Sequence, residues 1–160
     1  SQAAKQFEDN DEILYEYALA AEKIGKTAEM ESVLLDLIEQ NPKFHQALNA
    51  LGYSWADRNI RLEEAKKLIL QAVELAPDDP FIADSLGWVE FRLGRLSEAR
   101  KILQAAFDAR QDAEIAAHLG EVIWTMGDRD QAIQIWRRGL SQDADNDTLR
   151  ETLQRLGVKP

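Results

Sequence analysis

The 160-residue chain has no cysteine. That excludes disulfides, thiolate catalysis and cysteine-built zinc sites. It fits a reducing or an oxidising compartment equally, so it does not place the protein. Histidine is almost as scarce: only His45 and His118 are present, in different stretches of the chain. Positive charge is in deficit, with 19 Lys and Arg against 29 Asp and Glu and a formal net charge of -10. Nucleic-acid phosphates reward the opposite balance, so a nucleic-acid partner is not expected. The acid is uneven: residues 1–44 hold ten acidic residues against four lysines, a net of -6. Hydrophobic stretches are short and broken by charge, as between Ser32 and Ile38. None approaches the roughly 20 residues that span a bilayer, so membrane insertion is not expected. Ser1-Gln2-Ala3-Ala4-Lys5 leads straight into acidic sequence, without the apolar core of a signal peptide.

What the chain does have is a period. Leu51-Gly52, Leu86-Gly87 and Leu119-Gly120 recur at intervals of 35 and then 33 residues. Each is followed at a near-constant distance by Ala65, Ala99 and Ala132, then seven residues on by Ala72, Ala106 and Gly139. Pro42 and Pro77 close two of these segments. A glycine inside a helix costs about 1 kcal/mol relative to alanine. Three in phase therefore point to close helix approach, with the alanines as small partners on the facing helix. Gly94 and Gly127 fall where a positive φ would end the first helix of a pair. The segment Asp57-Arg58-Asn59-Ile60-Arg61 is one residue longer at that turn and lacks the glycine.

Apolar spacings of three and four predict helix pairs at 11–24 and 28–40, 44–57 and 62–76, 80–93 and 96–109, and 113–126 and 129–141. A ninth helix is predicted near 147–156, with Leu149, Leu153 and Leu156 as one stripe and Gly157 as its stop. Gln2 to Glu8 reads as the tail of a preceding helix, which suggests a piece of a longer array.

The pattern resembles the tetratricopeptide repeat, with its 34-residue period. Three repeats match well between His45 and Ala144; a fourth, Asp11 to Pro42, carries Ala18 and Met30 where the pattern wants glycine and alanine. The resemblance implies an all-α, right-handed superhelix of about four helix pairs. The repeats would lie at about 11–43, 44–78, 79–112 and 113–145, with a capping helix at about 146–157, all in one array.

In this family the first helix of each pair lines the concave surface. Core positions account for Leu48, Leu51, Trp55, Leu86, Leu119, Ile123 and Trp136. Left over on the expected groove face are Phe81, Asp84, Trp88, Phe91 and Arg92, flanked by Asn49 and Tyr53 on one side and His118, Glu121 and Trp124 on the other. Exposed aromatics with scattered polar groups suit peptide recognition. Phe91 and Trp124 admit a second reading, as seals between adjacent repeats. The family's clamp of Lys, Asn and Arg for a chaperone's carboxylate tail is not matched, since Tyr53, Trp88 and Glu121 stand where it would want Asn.

His118 and Glu121 share a helix face at i and i+3, but two ligands do not make a metal site. No serine sits in a nucleophile-elbow setting and no glycine-rich phosphate loop exists. No catalytic residue, metal or cofactor is therefore expected.

A narrower resemblance rests on Ala47-Leu48-Asn49-Ala50-Leu51-Gly52-Tyr53, Asp84-Ser85-Leu86-Gly87-Trp88-Val89 and Ala116-Ala117-His118-Leu119-Gly120-Glu121-Val122. These look like the C-terminal repeats of proteobacterial outer-membrane lipoproteins, some of which deliver substrates to a processing protease. That implies a periplasmic adaptor or scaffold, anchored through a part not in this sequence, with a protease or its substrates as partners. A cytoplasmic location stays open. The expected function is a protein-binding module; the alternative is a structural spacer or self-associating segment.

Overall fold

The computed structural model describes residues 2–160, apart from the side chains of residues 3, 4, 7 and 8. Among the described residues there are nine α-helices and no strand: α1 (Gln2–Lys23), α2 (Thr27–Gln40), α3 (His45–Asp57), α4 (Leu62–Leu75), α5 (Pro80–Arg92), α6 (Leu96–Ala109), α7 (Ala113–Thr125), α8 (Arg129–Gln142) and α9 (Asp147–Leu156). Every predicted helix from 28 onward lies within one residue of its observed bounds. The exception is the start of the chain. Gln2 to Glu8 is not the tail of a preceding helix, because α1 runs unbroken from Gln2. No Pro or Gly interrupts that stretch to stop it. No described helix is long and apolar enough to cross a membrane.

The helices form two compact units, one up to Pro77 and one over Asp78–Pro160. In the first, α1 pairs with α2 and α3 with α4 around Ala18, Met30, Leu34, Leu37, Leu48, Leu51, Trp55 and Ile69, all buried. In the second, α5 pairs with α6 and α7 with α8, and α9 lies on α7. Leu103, Phe107, Leu119, Ile123, Trp136 and Leu149 are buried in its core. Each such side chain contributes roughly 1.5–3 kcal/mol by leaving water. Of the expected core residues Leu86 alone is only partly buried. It lies on the first helix of its unit, so no earlier helix of that unit covers it.

The close approach at the repeat glycines is real; the expected alanine is a partner at Gly52, where a Cβ would stand 2.9 Å from the Ala65 carbonyl oxygen, but not at Gly87 or Gly120. A Cβ on Gly87 would stand 2.5 Å from Leu103 Cγ, and one on Gly120 would enter the Trp136 indole. The large residue four positions beyond each alanine fills the space the glycine vacates. At the turns, Gly94 (φ 84°) and Gly127 (φ 97°) adopt the left-handed conformation that ends the first helix. The longer α3–α4 turn reaches the same result without glycine, by placing Asn59 (φ 57°) and Arg61 (φ 46°) there.

Candidate interaction surface

Asp79, with Pro80 at the first helical position, starts α5: its carboxylate accepts from the N–H groups of Phe81 (2.9 Å) and Ile82 (3.4 Å). Asp112 starts α7 in the same way, accepting from Glu114 (2.9 Å) and Ile115 (3.3 Å). These caps fix two neighbouring first helices and bring Asp84, Trp88, Phe91, Arg92 and His118 together.

The cluster is packed inward, which corrects the expectation of an open aromatic groove. Trp88 is 3% exposed and His118 2%; Asp84 and Glu121 are buried as well. His118 Nδ1 lies 2.9 and 3.0 Å from the two carboxylate oxygens of Asp84. The Trp88 ring stacks on the His118 imidazole at 4.3 Å and on Phe91 at 4.9 Å. The Arg92 guanidinium sits 4.9 Å from the Trp88 ring centre. Trp88 thus lies between rings from two helices, and a helix-face argument on α5 alone does not reveal the α7 side chains that cover it.

Burial pushes the Asp84 carboxyl above the ordinary carboxylate range, with the His118 ring pulling the other way. Glu114 is likewise raised by burial, opposed by His118 and by a hydrogen bond from Thr148, and raised further by Asp84 and Asp112. His118 and Glu121, the weighed metal pair, have other partners: His118 binds Asp84, and Glu121 accepts a short hydrogen bond from Arg155. The described residues contain no group of three or more metal-binding side chains. Ser85 donates to the Phe81 carbonyl at 3.2 Å, so its hydroxyl is committed within the helix.

The remaining expected residues are scattered. Phe81 is 38% exposed with Arg110 stacked 5.3 Å from its ring. Trp124 packs on Trp136 at 5.5 Å beneath Arg129, and both Trp124 and Phe91 lie against the core cluster. Neither is an open groove ring, but the ring partner of Trp124, Trp136, belongs to its own helix pair, so that contact does not seal a seam between repeats. Asn49 and Tyr53 belong to the first unit, where both are partly buried, and Asn49 Oδ1 receives no hydrogen bond from the described residues. Open clefts lie elsewhere. One, of about 560 Å³, is lined by Arg110, Gln111, Asp112, Gln142 and Asp143; another, of about 260 Å³, by Asp9, Asp11, Glu12, Asn41 and Phe44.

Sequence reasoning missed a regularity in these pairs. Asp84–His118, Glu114–Thr148 and Glu121–Arg155 are each separated by 34 residues, one repeat period. Stacked repeats bring residue i beside residue i+34, so a scan for complementary polar residues at that distance would have found all three.

A family model described as tetratricopeptide repeat matches residues 85–147, across the α5–α8 pairs just described. The chain thus resembles tetratricopeptide-repeat proteins in the sequence of these residues and in fold. It is 44% identical over 95% of its length to a TPR repeat-containing protein of Pseudomonas aeruginosa. It spans about a quarter (26%) of that relative's length. Among solved structures, a thermophilic TPR protein of Thermus thermophilus superposes with a TM-score of 0.79 at 23% identity, covering 98% of this chain and 87% of the other. An O-GlcNAc transferase of Thermobaculum terrenum superposes at 0.73 and 21% identity, covering 80% of this chain but 26% of the transferase. Both likenesses concern the fold.

Proposed function

We propose that this chain is a protein-binding module, an adaptor or scaffold that holds a peptide or a partner protein on its first-helix faces. The observation that carries the reading is the α5 face. Phe81 stands exposed beside Arg110, with Phe91 and Arg92 partly exposed over a floor locked by Trp88, His118 and Asp84. Rigid, half-exposed rings and guanidinium groups lose little entropy on binding a peptide. The corrected burial changes the roles: Trp88 holds the surface in shape, while Phe81 and Arg92 are the contact residues. Placement in the bacterial envelope, through a lipidated part of a longer protein and beside a protease or its substrates, is part of this proposal. It is supported by the resemblance of the repeat motifs and by the greater length of the P. aeruginosa relative.

A photo-crosslinking amino acid at position 81 tests this against the same probe at exposed Lys101 on α6. In envelope extract, a discrete adduct from position 81 alone is expected. Equal labelling from both positions would remove the surface assignment.

A further inference from the structure

One histidine on α7 stands among three carboxylates. Glu114, His118 and Glu121 share a helix face, at spacings of four and three. From α5, Asp84 contacts His118 Nδ1 at 2.9 and 3.0 Å. From α9, Thr148 donates to Glu114 at 2.9 Å and Arg155 pairs with Glu121. Asp84, His118 and Glu121 are buried, and Glu114 is partly so. The helices α6 and α8 also pack on α7, and they bring apolar side chains to its core, Leu103, Phe107, Ile135 and Trp136 among them. A polar line therefore runs from α5 through α7 to α9.

Positive charge is short along that line. Arg155 is committed to Glu121, and among the described residues no Lys or Arg pairs with Asp84 or Glu114. Burial pushes both of those carboxyls up and Asp112, at the start of α7, adds to that; His118 is the cation that draws both down. Contact with Asp84, and the face of the Trp88 indole at 4.3 Å, favour the charged ring. Histidine is also the side chain whose ordinary titration lies between about pH 5 and 8. Once the ring is neutral, Asp84 and Glu114 are left as like charges with no cation between them. Glu114, the less buried of the two, relieves this by turning to water, and it gives up Thr148 as it does so. The element this loosens is α9. It has 10 residues, too few to hold a helix alone, and its hydrogen bonds to α7 go to the acids on either side of His118.

We propose that His118 is a proton-operated latch: charged, it holds α5 and α9 on α7, and neutral, it lets α9 loosen. The stabilisation is present while the ring keeps its proton and is lost as pH rises through the ring's titration. Loosening α9 withdraws Leu149 and Leu153 from the core cluster, so the second unit changes its exposed apolar area with pH. The latch works without a ligand and does not depend on what the α5 face binds.

Nuclear magnetic resonance of the full chain between about pH 5 and pH 9 follows the His118 ring and the backbone amides together. Hydrogen-exchange protection of α9, corrected for the intrinsic pH dependence of exchange, should fall roughly tenfold or more across the titration of the ring. Protection of α3 and α4, in the first unit, should stay level. Glu114→Gln keeps an acceptor for Thr148 but carries no charge, so in that variant the ring should still titrate while α9 stays protected. A ring that keeps one charge state over this range overturns the proposal, as does α9 protection that ignores the titration. So does a fall of the same size in Glu114→Gln, because the loosening would then not pass through Glu114.

Discussion

The two units repeat one pattern and solve different problems with it. In the second unit, side chains of Asp79, Asp112, Asp128 and Asn146 cap α5, α7, α8 and α9. In the first, α2, α3 and α4 begin at Lys26, Phe44 and Arg61 with no side-chain cap. The second unit buries Asp84, Ser85, Glu90, His118, Glu121 and Thr152, whereas Ser54 is the one buried polar residue described in the first. Exposed large apolar residues are distributed the other way. Ile13, Leu14, Tyr17, Ile24, Leu35, Ile60, Leu70 and Leu75 fall in the first unit, but Phe81 and Met126 alone in the second. A repeat thus fixes backbone spacing while leaving each unit free in where it puts polarity. The second unit pairs its buried polar groups internally; the first leaves more apolar surface open to water.

The sharpest way to break that comparison is to remove the stack at its centre. Trp88→Ala should destabilise the second unit by about 3–5 kcal/mol, the usual range for truncating a buried Trp. Tyr53, at the same repeat position in the first unit, is only partly buried. Tyr53→Ala should therefore cost distinctly less. Urea titrations followed by circular dichroism decide it. Equal midpoints for the two variants would mean that the stack adds nothing the first unit lacks.

The backbone was far more legible in the sequence than the surface. Leu-Gly and Ala recurrences carry helix phase because glycine and alanine act locally, on φ and on how closely one helix meets the next. Gly94 and Gly127 were readable for the same reason. Trp88 was not, because its burial depends on His118, a residue 30 positions away on the next first helix. Helix faces drawn one at a time cannot show such a neighbour. The exposure of Ile13 and Tyr17 on α1 was hidden by the same limit, since both read as ordinary apolar helix residues until their burial is known.

A smaller effect is expected at the helix contact. Gly87→Leu forces a side chain into the space held by Leu103 and should cost about 1–3 kcal/mol or more. Gly94→Ala, at φ 84° with nothing within 4 Å of the added Cβ, isolates backbone strain from packing. It should cost about 1 kcal/mol. Thermal melts should rank the two in that order. The reverse order would mean that the pair relaxes around the leucine and that turn geometry matters more than close approach.

The smallest expected effect is a pH dependence that the buried acids of the second unit impose. Glu114 has its carboxyl raised above 4.5 chiefly by burial, despite the opposing pull of His118 and the Thr148 hydroxyl. A raised folded-state value means the folded protein holds that proton more tightly than the unfolded chain does. The stabilisation from the protonated form is complete below about 4.5, the ordinary glutamate range, and is lost as pH rises through the higher folded value. Glu114→Gln cannot titrate, yet it keeps an oxygen that can accept from Thr148. The melting temperature of the parent minus that of the variant should therefore rise as pH is lowered from 7 toward 4. Comparing the two chains at each pH cancels the titration of the other carboxylates that both share. A difference that stays flat would show that Glu114 titrates in the fold as it does in the unfolded chain, and one that falls as pH is lowered would show a value below the ordinary range. The Thr148 and His118 contacts would then outweigh its burial, and the charge stored in the second unit would be larger than its packing suggests.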